Sequence, residues 1–295
     1  MKKLGKLYNL LINDKLAYFS IIFIVLIFIF AIFGPLIVAD LSVQMNLKLR
    51  NYEPFSIEKG WMFFLGADSL GRSMIARLII ACQKTIFIAA GAVIISMTVG
   101  GILGLISGYI GGKIENIIMR LADIIMSFPS LLMAVVVLYM FEPNIMSLIF
   151  VLAFTRLPVY MRTSRAEVLE IKERLFISAA ITMGASTPRI LFKHIAPLVF
   201  PTLLTISTLD FAFVMLGESA LSFLGIGIQP PEMTWGLMVA QGRNYLQSAW
   251  WLAFFPGLMI MLVTLSLNLV SSWLRIVLDP TQNWQLNSTK KYEYE

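Results

Sequence analysis

The sequence predicts an all-α, polytopic membrane protein with six transmembrane helices, and three observations carry that prediction. Of its 295 residues 58% are hydrophobic and only 14% are charged. Mean hydropathy is +0.82, too apolar for an ordinary water-soluble domain. Six apolar runs approach or reach the roughly 20 residues that a helix needs to cross a bilayer. The formal net charge of +6 resides mainly between these runs, where Lys and Arg set orientation; no nucleic-acid surface is read from it.

The first run, 17–39, follows a basic MKKLGK segment. Its apolar stretch exceeds the roughly 7 to 15 residues of a signal-peptide core and no small-x-small cleavage site follows, so a retained span is expected. Residues 66–80 place Leu70, Met74 and Leu78 on one stripe with Arg72 nearby, as in a helix lying in the outer interface; a bare elbow is the alternative. In the second run, 86–110, Ala92, Ser96, Gly100, Gly104, Gly108 and Gly112 recur every four residues. One helix face therefore lacks bulk and suits close packing, or a seam that slides.

The third run, 117–141, begins with Arg120 and Asp123, whose i, i+3 spacing suits an ion pair on one helix face. The fourth is 145–160. The fifth, 198–223, carries Asp210 near its middle, where an ionised carboxylate costs roughly 2.5 to 3.5 kcal/mol on insertion scales. Asp210 either lines a solute path and favours a cationic group, or is protonated, or is bonded to Ser207, Thr208 or another helix. Glu218, near the outer end of the same run, reads as a structural interface residue. The sixth run is 250–277. The organisation expected is an N-terminal helix, external loop and elbow over 1–79, a five-helix core over 80–280 and a cytoplasmic tail over 281–295.

With the N-terminus assigned to the cytoplasm, 16 Lys and Arg residues fall inside and 7 outside, six of the seven in one long loop at 40–85. That distribution favours an N-in, C-in topology. Cys82 and His194 are the single cysteine and histidine, which leaves no disulfide framework, zinc cluster or Ser/His/Asp triad. Gly111, Gly112 and Lys113 resemble a phosphate loop at a glance, but Ser107 and Ile114 break the Walker A spacing. No catalysis, metal or cofactor is expected in this chain.

The largest cytoplasmic connection, 161–197, contains SAAITMGASTPRILFKHIAP at 178–197. It reads as a helix over 162–183, a turn at Gly184, an N-cap at Thr187 with Pro188 in the first turn, and a second short helix ending before Pro197. Small residues at Ser178, Ala179 and Ala180 form a shallow patch that another backbone can approach. A solvated basic hairpin is the alternative.

This segment resembles the EAA loop of ABC-importer membrane subunits, E-A-A-x3-G-x9-I-x-L-P. Ala179, Ala180, Gly184 and Pro197 match, whereas Ser178 stands for Glu, His194 for Ile and Ala196 for Leu. The stretches 64–79, 108–132, 217–236 and 249–257 are similar to those of the oligopeptide, dipeptide and nickel branch. Ser271 and Ser272 stand where that branch has Gly-Asp, before the expected Leu274, Arg275, Asp279 and Pro280, which implies different packing of the last turn.

The resemblance implies a type I ABC-importer permease fold in a bacterial or archaeal plasma membrane, forming half of a path for short peptides. Nickel or a metal-chelate is the alternative cargo. It implies a second homologous permease, two ATPases that bind ATP and Mg, and an extracytoplasmic solute-binding protein. Ser178, Ala179, Ala180, Gly184, Thr187, His194 and Pro197 would couple to the ATPases, and Arg120 and Asp123 would serve a gate. Competing readings are an ion-coupled carrier using Asp210 or Glu218, disfavoured by the lack of inverted repeats, and a scaffold without a transport role.

Overall fold

The computed structural model describes residues 11, 14–140 and 144–278. Five helices are long and apolar enough to cross a membrane, with a sixth candidate in a bent pair. In chain order they are α1 (Lys15–Val43), α2 (Met74–Ile110), the pair α3 (Gly112–Met126) and α4 (Ser130–Met140), α5 (Ile145–Ile171), the short α6 (Leu175–Thr182), α7 (Thr187–Phe223), the short α8 (Trp235–Gly242) and α9 (Trp251–Leu278). The turns at 44–73 and 224–250 gather at one end of the bundle; α3 and α6 lie at the other. Among the described residues, the one extended pairing outside the helices is an isolated bridge from Ala67 to Ser73.

α1 starts where the Asp14 carboxylate accepts a hydrogen bond from Ala17 N at 3.1 Å, satisfying one of the orphan donors of a helix N-terminus. It buries Ile27, Ala31 and Val38 and leaves a wide apolar face exposed, including Leu36 and Ile37. In a bilayer that face meets lipid, so its exposure costs nothing there.

The small-residue series of α2 packs against α5. A Cβ on Gly100 would lie 2.8 Å from Leu157 O, one on Gly104 would lie 2.5 Å from Met161 O, and one on Gly108 would lie 2.8 Å from Val168 Cβ. Ala92 and Ser96 continue the buried face, and Ser164 Oγ crosses the seam to donate to Gly101 O at 2.9 Å. Gly112 leaves the series: it opens α3 at φ +61° and touches nothing there.

Two expectations about spans change. Residues 66–80 are no interfacial helix: 66–73 form a hydrogen-bonded turn, and Met74 begins α2 itself, which runs unbroken across 79/80. Met74 and Leu78 are buried inside the bundle, so their stripe reflects protein packing. The third run bends by 88° between α3 and α4. Pro129 disfavours helical geometry at the residue before it, and the 11 residues of α4 reach only about 16 Å, roughly half of a bilayer core.

The connection at 161–197 also departs from two short helices. α5 runs on to Ile171, α6 follows, and the segment from Thr187 continues without interruption through Pro197 into the fifth span. Pro197 and Pro201 supply no N–H to the carbonyls four residues earlier, and the helix widens into a π turn at Ile190–Ile195 immediately before them. The N-cap is Ser186; Thr187 is the first helical residue and caps nothing. The expected tail at 281–295 lies outside the described residues.

The seam predicts that Gly104→Leu will lower the thermal midpoint of the detergent-solubilised protein sharply, whereas Gly257→Ala, at a helical site with no atom within 4 Å of the added Cβ, will leave it nearly unchanged. Fluorescence-detected size exclusion after a heating series measures both.

Candidate functional site

At the α6 end, the chain builds a capped, exposed knob. Ala185 N donates to Ala180 O at 3.0 Å and Gly184 N to Ile181 O at 2.9 Å, with Gly184 at φ +80°. This is a Schellman stop, which needs a left-handed residue after the helix. Ile177 and Ala180 face inward against a cluster containing Val168, Ile171, Ile190, Leu191 and Ile195. Ser178, Ala179, Gly184, Thr187 and Pro197 are exposed, and His194 is half-buried in the π turn. Around the small-residue patch stand Leu175, 87% exposed, and Met183, 81% exposed. Sequence reasoning did not single out this apolar rim; four large apolar residues within one eight-residue helix (LFISAAIT) were the available signal.

In the middle of the bundle, Asp210 on α7 is 1% exposed and pairs with Arg156 on α5. Of the alternatives for Asp210, a bond to another helix is the one observed; Ser207 and Thr208 instead donate to carbonyls of their own helix at 2.7 and 2.8 Å. Arg156 stacks over the Phe213 ring, 5.3 Å from its centroid. Arg156 Nε has no hydrogen-bond partner, and the buried Tyr160 hydroxyl lies beside Asp210 and Ser96. Arg156 is one of the 16 cations assigned to the inside by the charge count. It sits eleven residues into α5, about 16 Å from the helix start. A charge inside an apolar run was the missed signal.

The expected Arg120 and Asp123 pair does not form. Asp123 pairs with Arg162 of α5, and Arg120 is exposed. Glu115 accepts from Arg165 Nε at 2.6 Å. Both acids of α3 thus find cations on the neighbouring helix, because packing brings those side chains closer than the i, i+3 partner.

At the opposite end, Asp68 organises the turn before α2. Its Oδ1 accepts from Leu70 N and Arg72 N, both at 2.9 Å; its Oδ2 accepts from Arg72 Nε at 2.7 Å and from Arg77. Arg77 continues to Gln241 Oε1 at 3.1 Å. Trp251 Nε1 donates to Ala67 O at 3.1 Å, and Trp235 Nε1 to Leu78 O at 3.0 Å. Burial would raise the Asp68 pKa, but the Arg77 charge, the Arg72 N–H and the Arg72 charge together hold it below its ordinary 3.8. Glu218 is fully buried nearby, accepting from Ser222 Oγ at 2.8 Å. Arg77 and Lys84, counted in the external loop, are residues of α2.

Residues 100–283 match the family described as Binding-protein-dependent transport system inner membrane component. The chain belongs to that family. Residues 10–54 match the N-terminal TM domain of oligopeptide transport permease C. A di/tripeptide transport system permease protein of Pseudomonas aeruginosa is 37% identical over 91% of this chain and 89% of its own. The dipeptide transport system permease protein of Alkalihalophilus pseudofirmus is 34% identical over 91% and 86%, and the oligopeptide transport system permease protein of Bacillus subtilis is 34% identical over 91% and 86%. The chain is therefore a non-catalytic, multi-pass membrane component of a binding-protein-dependent transport system, an ABC-importer permease of the oligopeptide and dipeptide branch.

In this permease Asp68→Asn should lower stability by about 3 to 5 kcal/mol at neutral pH, because Arg77 would be left buried without its counter-charge. The depressed pKa sets the pH window. The Asp68 contribution is complete above 3.8 and shrinks as pH falls below it toward the folded-state value. Denaturation midpoints of the two proteins across that range should converge on acidification.

Proposed function

We propose that this permease forms half of the translocation path of an ATP-driven bacterial importer for short peptides, with its N- and C-termini in the cytoplasm. The observation that carries the reading is α6, an outward-facing knob with a shallow Ser178/Ala179 surface and an apolar rim at Leu175 and Met183. A partner cleft that accepted it would desolvate that rim. The names of the relatives support peptides as cargo. The partners proposed are a second homologous permease, two cytoplasmic ATPases that hold ATP and Mg, and an extracytoplasmic solute-binding protein; this chain itself holds no cofactor.

The coupling follows from helix continuity. α6 packs onto the first turns of α7 through Ile177 and Ile190, and α7 runs 37 residues from Thr187 to Phe223, roughly 55 Å as one rod. Displacement of α6 by the ATPases would be delivered along α7 to Asp210 and Glu218. The binding energy of ATP at one site thereby shifts the bundle between inward- and outward-facing states.

Pull-down of the tagged permease from its native membrane in mild detergent should recover a P-loop ATPase and a second permease. Gly184→Trp, which cannot hold φ +80° without strain, and Leu175→Asp, which leaves the backbone alone, should each lose the ATPase and keep the permease. Absence of any ATPase with the parent chain would sink the coupling assignment.

A further inference from the structure

A cavity of about 350 Å³ opens between α4, α5 and α7, walled by residues including Ala134, Leu152, Phe213 and Gly217. Its volume lies within the range of small-ligand sites. Arg156 is the charged side chain among the lining residues. Its side chain is 26% exposed, whereas that of Asp210 is 2% exposed behind it. A solute entering this space therefore meets the guanidinium, not the carboxylate, so the cation-favouring role expected for Asp210 is geometrically unavailable.

The guanidinium is also under-used. It carries five N–H donors, and among the described residues the acceptor it has is Asp210 Oδ1. Its Nε is without a partner, although buried polar groups are ordinarily satisfied. The Phe213 ring holds the guanidinium plane from one side. A planar donor fork fixed in a low-dielectric cavity is the geometry that recognises a carboxylate. Asp210 keeps the empty cavity neutral, which lets the cation reside at mid-membrane depth at all. The apolar wall beside Arg156 would accept the side chain adjoining that carboxylate.

We propose that Arg156 is the anion-recognising group of a mid-membrane solute site, engaging the carboxylate of the transported molecule, and that Asp210 is its positioning counter-ion. The proposal rests on the importer reading above and assigns that path its charge preference.

The test uses the complete transporter, with both permeases, the ATPases and the binding protein, reconstituted in proteoliposomes. The probes are trialanine and its C-terminal amide, each supplied at a concentration that saturates the binding protein by direct titration. Arg156→Gln should cut trialanine uptake by about tenfold or more, the effect of losing one charge-assisted hydrogen bond, while uptake of the amide changes little. Arg156→Lys should fall between. The double exchange Arg156→Asp with Asp210→Arg retains a buried ion pair but turns a carboxylate toward the cavity, and it should import trialanine no better than Arg156→Gln.

Equal slowing of acid and amide by Arg156→Gln, or recovery of trialanine uptake in the double exchange, would overturn the proposal and make the pair purely structural. If Arg156→Gln does not assemble, the lysine variant and the double exchange decide on trialanine alone. A parent transporter that imports neither probe would overturn the peptide reading itself, an outcome distinct from variants that import both probes as the parent does.

Discussion

The approach of α2 to α5 through Gly100, Gly104 and Gly108 sets the position of nearly every functional group in this permease. Lipid tails are as apolar as leucine, so spans gain little by hiding apolar surface from them and associate through close packing and cross-helix hydrogen bonds. Glycine on α2 lets the α5 backbone come near enough for Ser164 to reach Gly101 O. That contact holds α5 in place and thereby aims Arg156 at Asp210, Arg162 at Asp123 and Arg165 at Glu115. A bulkier residue at the seam would move all three cations together.

Charge is distributed in graded fashion over this scaffold. The exposed Arg162–Asp123 pair contributes at most about 1 kcal/mol, as surface pairs do; it steadies α3 without locking it. Asp68 and Arg77 are buried; Gln241 and Trp235 of α8 bond Arg77 and Leu78 O of α2, and Trp251 at the start of α9 bonds Ala67 O of the turn. That end is built as a rigid plate. The middle differs again: Arg156 and Asp210 neutralise each other while Arg156 Nε is left without an acceptor, the condition of a site rather than of a strut. The α6 end combines a buried cluster around Ile177 and Ile190 with a rim of exposed apolar side chains at Leu175 and Met183, suited to a surface that is covered by something else.

Helix continuity then connects these regions. Because the π turn at Ile190–Ile195 absorbs two nearby prolines without breaking the rod, α7 joins the knob to the central charge pair in one element. The bend at Pro129 does the opposite for the third run, laying α3 against α2 and α5 and leaving α4 to wall the cavity. Two prolines are accommodated and one turns the chain, and that difference separates the coupling surface from the solute-facing one.

The sequence by itself determined which stretches are apolar helices, which face of α2 is small and where Gly184 stops α6. Each of these is a local property: hydrophobic length, four-residue spacing and a left-handed φ that glycine alone adopts cheaply. Resemblance over much of the chain led to the family for the same reason, since motifs are short. Only the tertiary structure decided that Asp123 takes Arg162 over Arg120, that Asp210 is met by Arg156, that residues 66–73 form a pinned turn, and that the third run folds at Pro129. The two ion pairs and the pinning of the turn depend on side chains brought within reach from 39 to 184 positions apart in the chain. Local spacing carries no information about that reach; the packing of glycine against backbone does.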